Sequence, residues 1–151
     1  MTRINTIDIE LLTDQHLMAE YRELPMVNAA LSRSLSSARG VHHPSIPKQY
    51  TLNRGHVMFF YDKGEWLYNR YQQLITELYK RNYSIDPKSR VVKWQHFEDN
   101  GLYNTWKPDS QAHKINVERL LERVNQKLTW YRWKGTPIDE YYTTMLKEMF
   151  L

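Results

Sequence analysis

Thr2, Arg3, Glu20, Arg22 and Glu23 bring a small hydroxyl residue, two carboxylates and two guanidiniums within reach of a chain terminus. Removal of Met1 would expose a threonine α-amine. Such an amine has a pKa of about 7.7–8.0, against about 10.4 for lysine, so its neutral, nucleophilic fraction at pH 7 is a few hundred times larger. Threonine at position 2 is small enough to permit that removal; with Met1 retained, the Thr2 nitrogen is an amide and no nucleophile. A carboxylate beside the amine would be placed to shuttle protons, and Arg3 and Arg22 would tune its pKa. Carboxylates early in a helix also favour its positive end without any catalytic duty. Spacing alone supports either reading.

The elements that must position these residues are mostly helical. Thr13 or Asp14 is an N-cap for a first helix running to about Ser37, with Leu17, Tyr21, Leu24, Leu31 and Leu35 as its core stripe. His16, Glu20 and Glu23 follow i, i+4, i+7 on a neighbouring face, and Arg22 points between stripe and solvent. Pro25 removes a backbone donor and predicts a kink near Tyr21. A polar loop from Ala38 to His56 leads to Val57-Met58-Phe59-Phe60-Tyr61, an apolar run expected as a short buried strand. Asp62 and Glu65 read as a capping box for a second helix ending near Asn82, with Leu67, Tyr71, Leu74, Ile75 and Leu78 inside.

Residues 83–107 are irregular, anchored by Trp94, Phe97, Tyr103 and Trp106. Pro108-Asp109 starts a third helix with Val117, Leu121, Val124 and Leu128 in its stripe. Thr136 as N-cap, Pro137 in the first turn and Asp139 predict a short terminal helix with Tyr141, Met145 and Met149 facing inward. The expected fold is all-α: one domain over 1–151, three main helices plus a short C-terminal helix, and long ordered loops.

The chain has 151 residues and no cysteine, which excludes disulfides and cysteine-ligated metal sites and suits a reducing compartment. The N-terminus, with Asp8, Glu10 and Asp14, resembles neither a signal nor a transit peptide, and no apolar run approaches membrane-spanning length. An intracellular protein with no membrane association is expected. His42-His43 are adjacent, poor geometry for two metal ligands, and His56, His96 and His113 are assigned nothing catalytic. His-Glu-x-x-His, Walker, Gly-x-Gly-x-x-Gly and Gly-x-Ser-x-Gly patterns are absent. The expectation is chemistry with no metal and no cofactor.

Lysine and arginine number 21 against 17 acidic residues, a net charge of +4. Basic clusters at Arg33/Arg39, Lys80/Arg81, Lys88/Arg90/Lys93, Lys114/Arg119/Arg123/Lys127 and Arg132/Lys134 are, one by one, ordinary solvated faces. The segment Trp130-Tyr131-Arg132-Trp133-Lys134 is different, because it interleaves stacking rings with cations, as proteins that grip unstacked bases do.

Thr2-Arg3-Ile4-Asn5, followed by Asp14-Gln15-His16-Leu17-Met18-Ala19-Glu20-Tyr21-Arg22-Glu23, closely resembles the pyrimidine-dimer DNA glycosylase family, the family of phage endonuclease V. The likeness continues through Gly55-His56-Val57-Met58-Phe59-Phe60-Tyr61-Asp62-Lys63 and Thr129-Trp130-Tyr131, and covers roughly residues 2 to 134. Ile46-Pro47-Lys48-Gln49-Tyr50-Thr51-Leu52-Asn53 is similar to the version from large algal viruses. The resemblance implies a monomer of three main helices acting on double-stranded DNA with ultraviolet lesions. It implies Thr2 as the amine nucleophile that excises the 5′ base of a cyclobutane dimer, and Glu23 as the proton shuttle that also serves strand cleavage by β-elimination. It implies Arg3, His16 and Arg22 as lesion and phosphate contacts, and Trp130, Tyr131, Arg132 and Lys134 as the aromatic–basic lesion-binding segment. The sequence departs from the family pattern at Met26, where the phage prototype has arginine, and at Tyr131-Arg132-Trp133-Lys134. Residues from about 135 to 151 form a C-terminal extension. Two alternatives stay open: a glycosylase for another altered base, and a non-catalytic DNA-binding protein should Met1 be retained.

Overall fold

A computed structural model describes residues 3–151. In chain order these form α1 (Asp14–Glu23), α2 (Pro25–Ser36), α3 (His56–Phe59), α4 (Gly64–Lys80), α5 (Gln95–Asp99), α6 (Ser110–Gln126), β1 (Arg132–Trp133), β2 (Thr136–Pro137) and α7 (Glu140–Phe150). Short 3-10 turns occupy Ile9–Leu11, His43–Ser45, Phe60–Asp62 and Pro87–Ser89. The all-α expectation holds. Sheet among the described residues is confined to the antiparallel β1–β2 pair, with Arg132 opposite Pro137 and Trp133 opposite Thr136.

One buried cluster links the N-terminal segment (Ile4, Ile7) to Leu17 of α1, Leu24 at the α1–α2 junction, Leu67, Leu74 and Leu78 of α4, Val117 and Leu120 of α6, and Leu146 of α7. The cluster forms because each helix repeats its apolar side chains every three or four residues. α1 packs against α4 and α2, and α6 packs against α7.

The predicted first helix is divided at Leu24. Thr13 caps α1, its Oγ1 accepting the His16 amide at 3.1 Å. Pro25 is the first residue of α2 and offers no amide hydrogen. Arg90 supplies donors at the break: its Nη1 donates to the Tyr21 carbonyl at 3.1 Å and its Nη2 to the Arg22 carbonyl at 2.9 Å. The same guanidinium lies 5.0 Å from the Tyr21 ring centroid. Arg90 thus works inward as a cap, although its surroundings in sequence read as one of several basic clusters.

Four local expectations are corrected. The run 57–61 is helical: the Phe59 amide donates to the Gly55 carbonyl, and Phe59, Phe60 and Tyr61 are buried consecutively. A short apolar run fits a buried helix as well as a strand, and here its aromatic rings pack from several sides onto Tyr50 and Trp106.

The proposed capping box at Asp62 does not form, and α4 has no side-chain cap. The amides of Gly64 and Trp66 donate to the Leu102 and Asn104 carbonyls, while Asp62 pairs with Lys63 at 2.7 Å. Gly64 permits this docking, because a Cβ there would sit 2.5 Å from the Phe97 ring.

At the C-terminus, Thr136-Pro137 belongs to β2 and Asp139 caps α7, its Oδ1 accepting the Tyr141 amide at 3.0 Å. Tyr142, Thr143 and Leu146 face inward, whereas Tyr141 and Met149 are exposed. The helix docks through a stripe adjacent to the predicted one, with Met145 partly buried at its edge. Leu128 lies past the end of α6 and is also exposed.

Candidate active site

A chain terminus can act only where its neighbours hold it. Residues 4–7 form a buried segment without regular secondary structure, gripped by side chains along its length. The Ile4 amide donates to His56 Nε2 at 2.8 Å, and Tyr50 Oη donates to the Ile4 carbonyl at 2.8 Å. The Asn5 amide and Nδ2 both donate to Glu20 Oε1, at 3.1 and 2.8 Å. Asn116 accepts the Thr6 amide at 2.9 Å and donates to Asn5 Oδ1 at 2.7 Å. Arg70 completes the lattice, donating to both Glu20 oxygens (2.6 and 3.1 Å) and to the Ile7 carbonyl (2.7 Å). Buried polar groups of this kind hold a conformation only when each is partnered.

That segment delivers Arg3 to a cavity of about 270 Å³ lined by Arg3, Asn5, His16, Ala19, Glu20, Glu23, Arg123 and Tyr131. His16, Glu20 and Glu23 come from one face of α1, as their spacing predicts. Glu20 and Glu23 differ sharply. Glu20 is fully buried and engaged by Arg70 and Asn5, which makes it a structural anchor. Glu23 is partly open, and burial raises its carboxyl above the ordinary range against the opposing pull of the Arg3 amide and guanidinium. A carboxyl poised in this way can both take and return a proton.

The same cavity also gathers cationic side chains, Arg3 and Arg123. Burial and the nearby Arg119 and Arg123 lower Arg3 from its usual pKa. Arg123 Nε is buried with no hydrogen-bond partner among the described residues. His16 is pushed down to about 4, first by burial and then by Arg3 and Arg123, so its imidazole is neutral near pH 7. Its Nδ1 lies 2.8 Å from Thr13 Oγ1, and the Tyr131 ring stacks on it at 4.9 Å between centroids. The concentrated positive charge favours an anionic ligand.

The other predicted site residues divide. Tyr131 lines the cavity; Trp130 is exposed beside it and meets the Tyr131 ring edge-on at 4.8 Å. Gln15 fixes this stretch by donating to the Trp130 carbonyl at 2.7 Å and accepting the Arg132 amide at 3.0 Å. Arg22, Arg132 and Lys134 are exposed and do not line the cavity. Lys134 borders a separate cleft with Glu10, Asp14 and Arg81, where its amide donates to Asp14 at 3.1 Å. Met26 is also exposed. Thr2 falls outside the described residues.

Sequence reasoning missed the groups that hold the N-terminal segment: His56, Tyr50, Asn5, Arg70 and Asn116. Two of them left a trace. Asn116 is four residues from both Ala112 and Leu120, and Arg70 is three from Leu67 and four from Leu74, so each polar side chain sits in core phase. Among the described residues, no group of three or more His, Asp or Glu side chains gathers as a metal site. In comparison with known families, residues 1–91 match the family model described as pyrimidine dimer DNA glycosylase.

Proposed function

The chain belongs to the pyrimidine dimer DNA glycosylase family, DNA-repair enzymes that act on DNA containing pyrimidine dimers, and from that premise we propose an imine mechanism with strand cleavage. The α-amine of Thr2, freed by loss of Met1, attacks C1′ of the 5′ nucleotide of a cyclobutane dimer. The C1′–N glycosidic bond breaks, and the departing base takes a proton while staying joined to its 3′ neighbour through the cyclobutane ring. Loss of the amine protons and opening of the C1′–O4′ bond give an imine between enzyme and sugar. Removal of a C2′ proton then breaks the C3′–O3′ bond, and hydrolysis of the imine returns the amine.

Glu23 is the residue assigned to the protons. It would stabilise the cationic sugar and accept the C2′ proton. The observation that carries this reading is that Glu23 and Arg3 line one cavity, and Thr2 is one peptide bond upstream of Arg3. Arg3 is assigned to the lesion phosphates, for which a guanidinium fork is suited. Arg22, exposed at the end of α1, is assigned to flanking phosphates. His16, neutral, would contact a phosphate as an N–H donor. Thr13 Oγ1 already accepts an amide there, so its own proton can go to Nδ1, leaving the imidazole proton on Nε2.

Trp130 and Tyr131 supply stacking faces, and Arg132 and Lys134 supply cations, for the distorted strand. The base opposite the lesion would be extruded, because the dimer weakens its pairing. Exposed basic side chains give the salt-dependent, non-specific part of binding. The reaction belongs inside the cell, where damaged DNA is repaired.

Borohydride trapping on ultraviolet-irradiated duplex, with protein whose intact mass shows a Thr2 start, tests the mechanism. A covalent adduct on dimer-containing DNA is expected, and protein retaining Met1 should form none. No adduct under conditions where the DNA is bound, or adducts only on other lesions, would overturn the reading.

A further inference from the structure

We propose that His56 is a positioning residue for the amine chemistry: by accepting the Ile4 amide it fixes where the segment bearing Arg3 and Thr2 enters the cavity. The inference rests on the imine reading above. Ile4 is completely buried, and side chains hold both its backbone groups, His56 on the amide and Tyr50 on the carbonyl. From this clamp the chain has one residue, Arg3, before Thr2. Any slack at the Ile4 peptide therefore passes almost directly to the terminal amine. Misplacement of a reacting group by about 1 Å can cost about 100-fold in rate.

The imidazole does this in one protonation state. Nε2 accepts from Ile4, so it carries no proton, and Nδ1 donates to the Thr51 carbonyl at 2.7 Å. A second proton would set an N–H on Nε2 against the Ile4 N–H across 2.8 Å. The surroundings oppose that proton in the main. Tyr50 and Phe60 meet the ring edge-on, burial lowers its pKa, and Arg3 from the N-terminal segment acts the same way. The Thr51 carbonyl, and Glu20 from α1, pull in the opposite direction. A histidine serving packing alone would need only a ring here, which makes the two roles separable.

The test uses enzyme with a mass-verified Thr2 start on duplex containing an abasic site. His56→Phe keeps a ring but cannot accept the Ile4 amide; His56→Gln restores an amide oxygen as acceptor and does not titrate. The trapping rate should fall about 10- to 100-fold in His56→Phe, with duplex affinity within about threefold of wild type, and recover to within about fivefold in His56→Gln. Towards acid, wild type should fall more steeply than protonation of the amine and of Glu23 together requires, and His56→Gln should lose that additional step while keeping the Glu23 one.

A His56→Phe rate within threefold of wild type, or identical acid limbs for wild type and His56→Gln, would overturn the proposal. Should His56→Phe not fold, the ¹⁵N shifts of wild-type His56 decide it, since a protonated Nε2 at neutral pH refutes the clamp and an unprotonated one supports it. Failure of wild type to trap at all would instead remove the imine reading itself.

Discussion

Glu20 and Glu23 lie one turn apart on α1, yet their carboxylates meet different surroundings. Glu20 is sealed against Arg70 and the Asn5 backbone, whereas Glu23 opens to the cavity with a raised pKa. Removing one charge of a buried pair typically costs about 3–5 kcal/mol, because the partner is left uncompensated. Glu20→Gln should therefore destabilise the fold by about 3 kcal/mol or more in urea unfolding. Glu23→Gln should unfold within about 1 kcal/mol of wild type, bind DNA, and lose about 100-fold or more in glycosylase rate, the scale of a lost acid–base group. Near-normal turnover in Glu23→Gln would remove its assigned role, and an unchanged urea midpoint in Glu20→Gln would mean that the anchor is idle.

At the scale of elements, the working end of α1 is secured by a residue from a distant loop. Pro25 interrupts the amide ladder, and Arg90 satisfies the Tyr21 and Arg22 carbonyls beside Glu23. A cation at a helix C-terminus is also favoured by the helix dipole. Hydrogen bonds from a charged donor contribute about 1.5–3 kcal/mol when desolvated, and less here because the Arg22 carbonyl is exposed. Arg90→Ala should cost about 1–2 kcal/mol in chemical denaturation. Arg90→Lys should recover less than half, since an ammonium cannot span both carbonyls as a fork does. A loss below about 0.3 kcal/mol in Arg90→Ala would show that water caps the break equally well.

For the whole molecule, the buried histidines couple stability to pH. His16 titrates at about 4 and His56 below its usual 6.5, both lowered first by burial. Unfolded, both would take up protons near pH 6.5. Stability from these two groups is therefore fully present above that pH and is lost as pH falls towards the folded values, because the unfolded state then binds more protons. Glu23, raised, acts with the opposite sign near its own titration. Urea midpoints should fall between pH 7 and pH 5, and His56→Gln should flatten the decline. A midpoint unchanged over that interval would contradict the burial of these rings.

Much of this architecture was legible in the residues because it is local. The start of α1 at Thr13 or Asp14, the shared face of His16, Glu20 and Glu23, the start of α6 at Pro108-Asp109 and the α4 core stripe all follow from periodicity and capping within a few residues. The 57–61 run, the start of α4 and the phase of α7 were misread because distant backbone and packing settle them: the Leu102–Asn104 carbonyls, the Phe97 ring against Gly64, and the β1–β2 pair. By itself the sequence carried the family, the helical class and the candidate pair Thr2 and Glu23. Only the tertiary structure separated the anchoring Glu20 from the accessible Glu23, and brought Tyr50, His56, Arg70 and Asn116 onto the N-terminal segment. Those partners lie 46 to 111 residues away along the chain, and hydrogen bonds across such separations leave no periodicity to read.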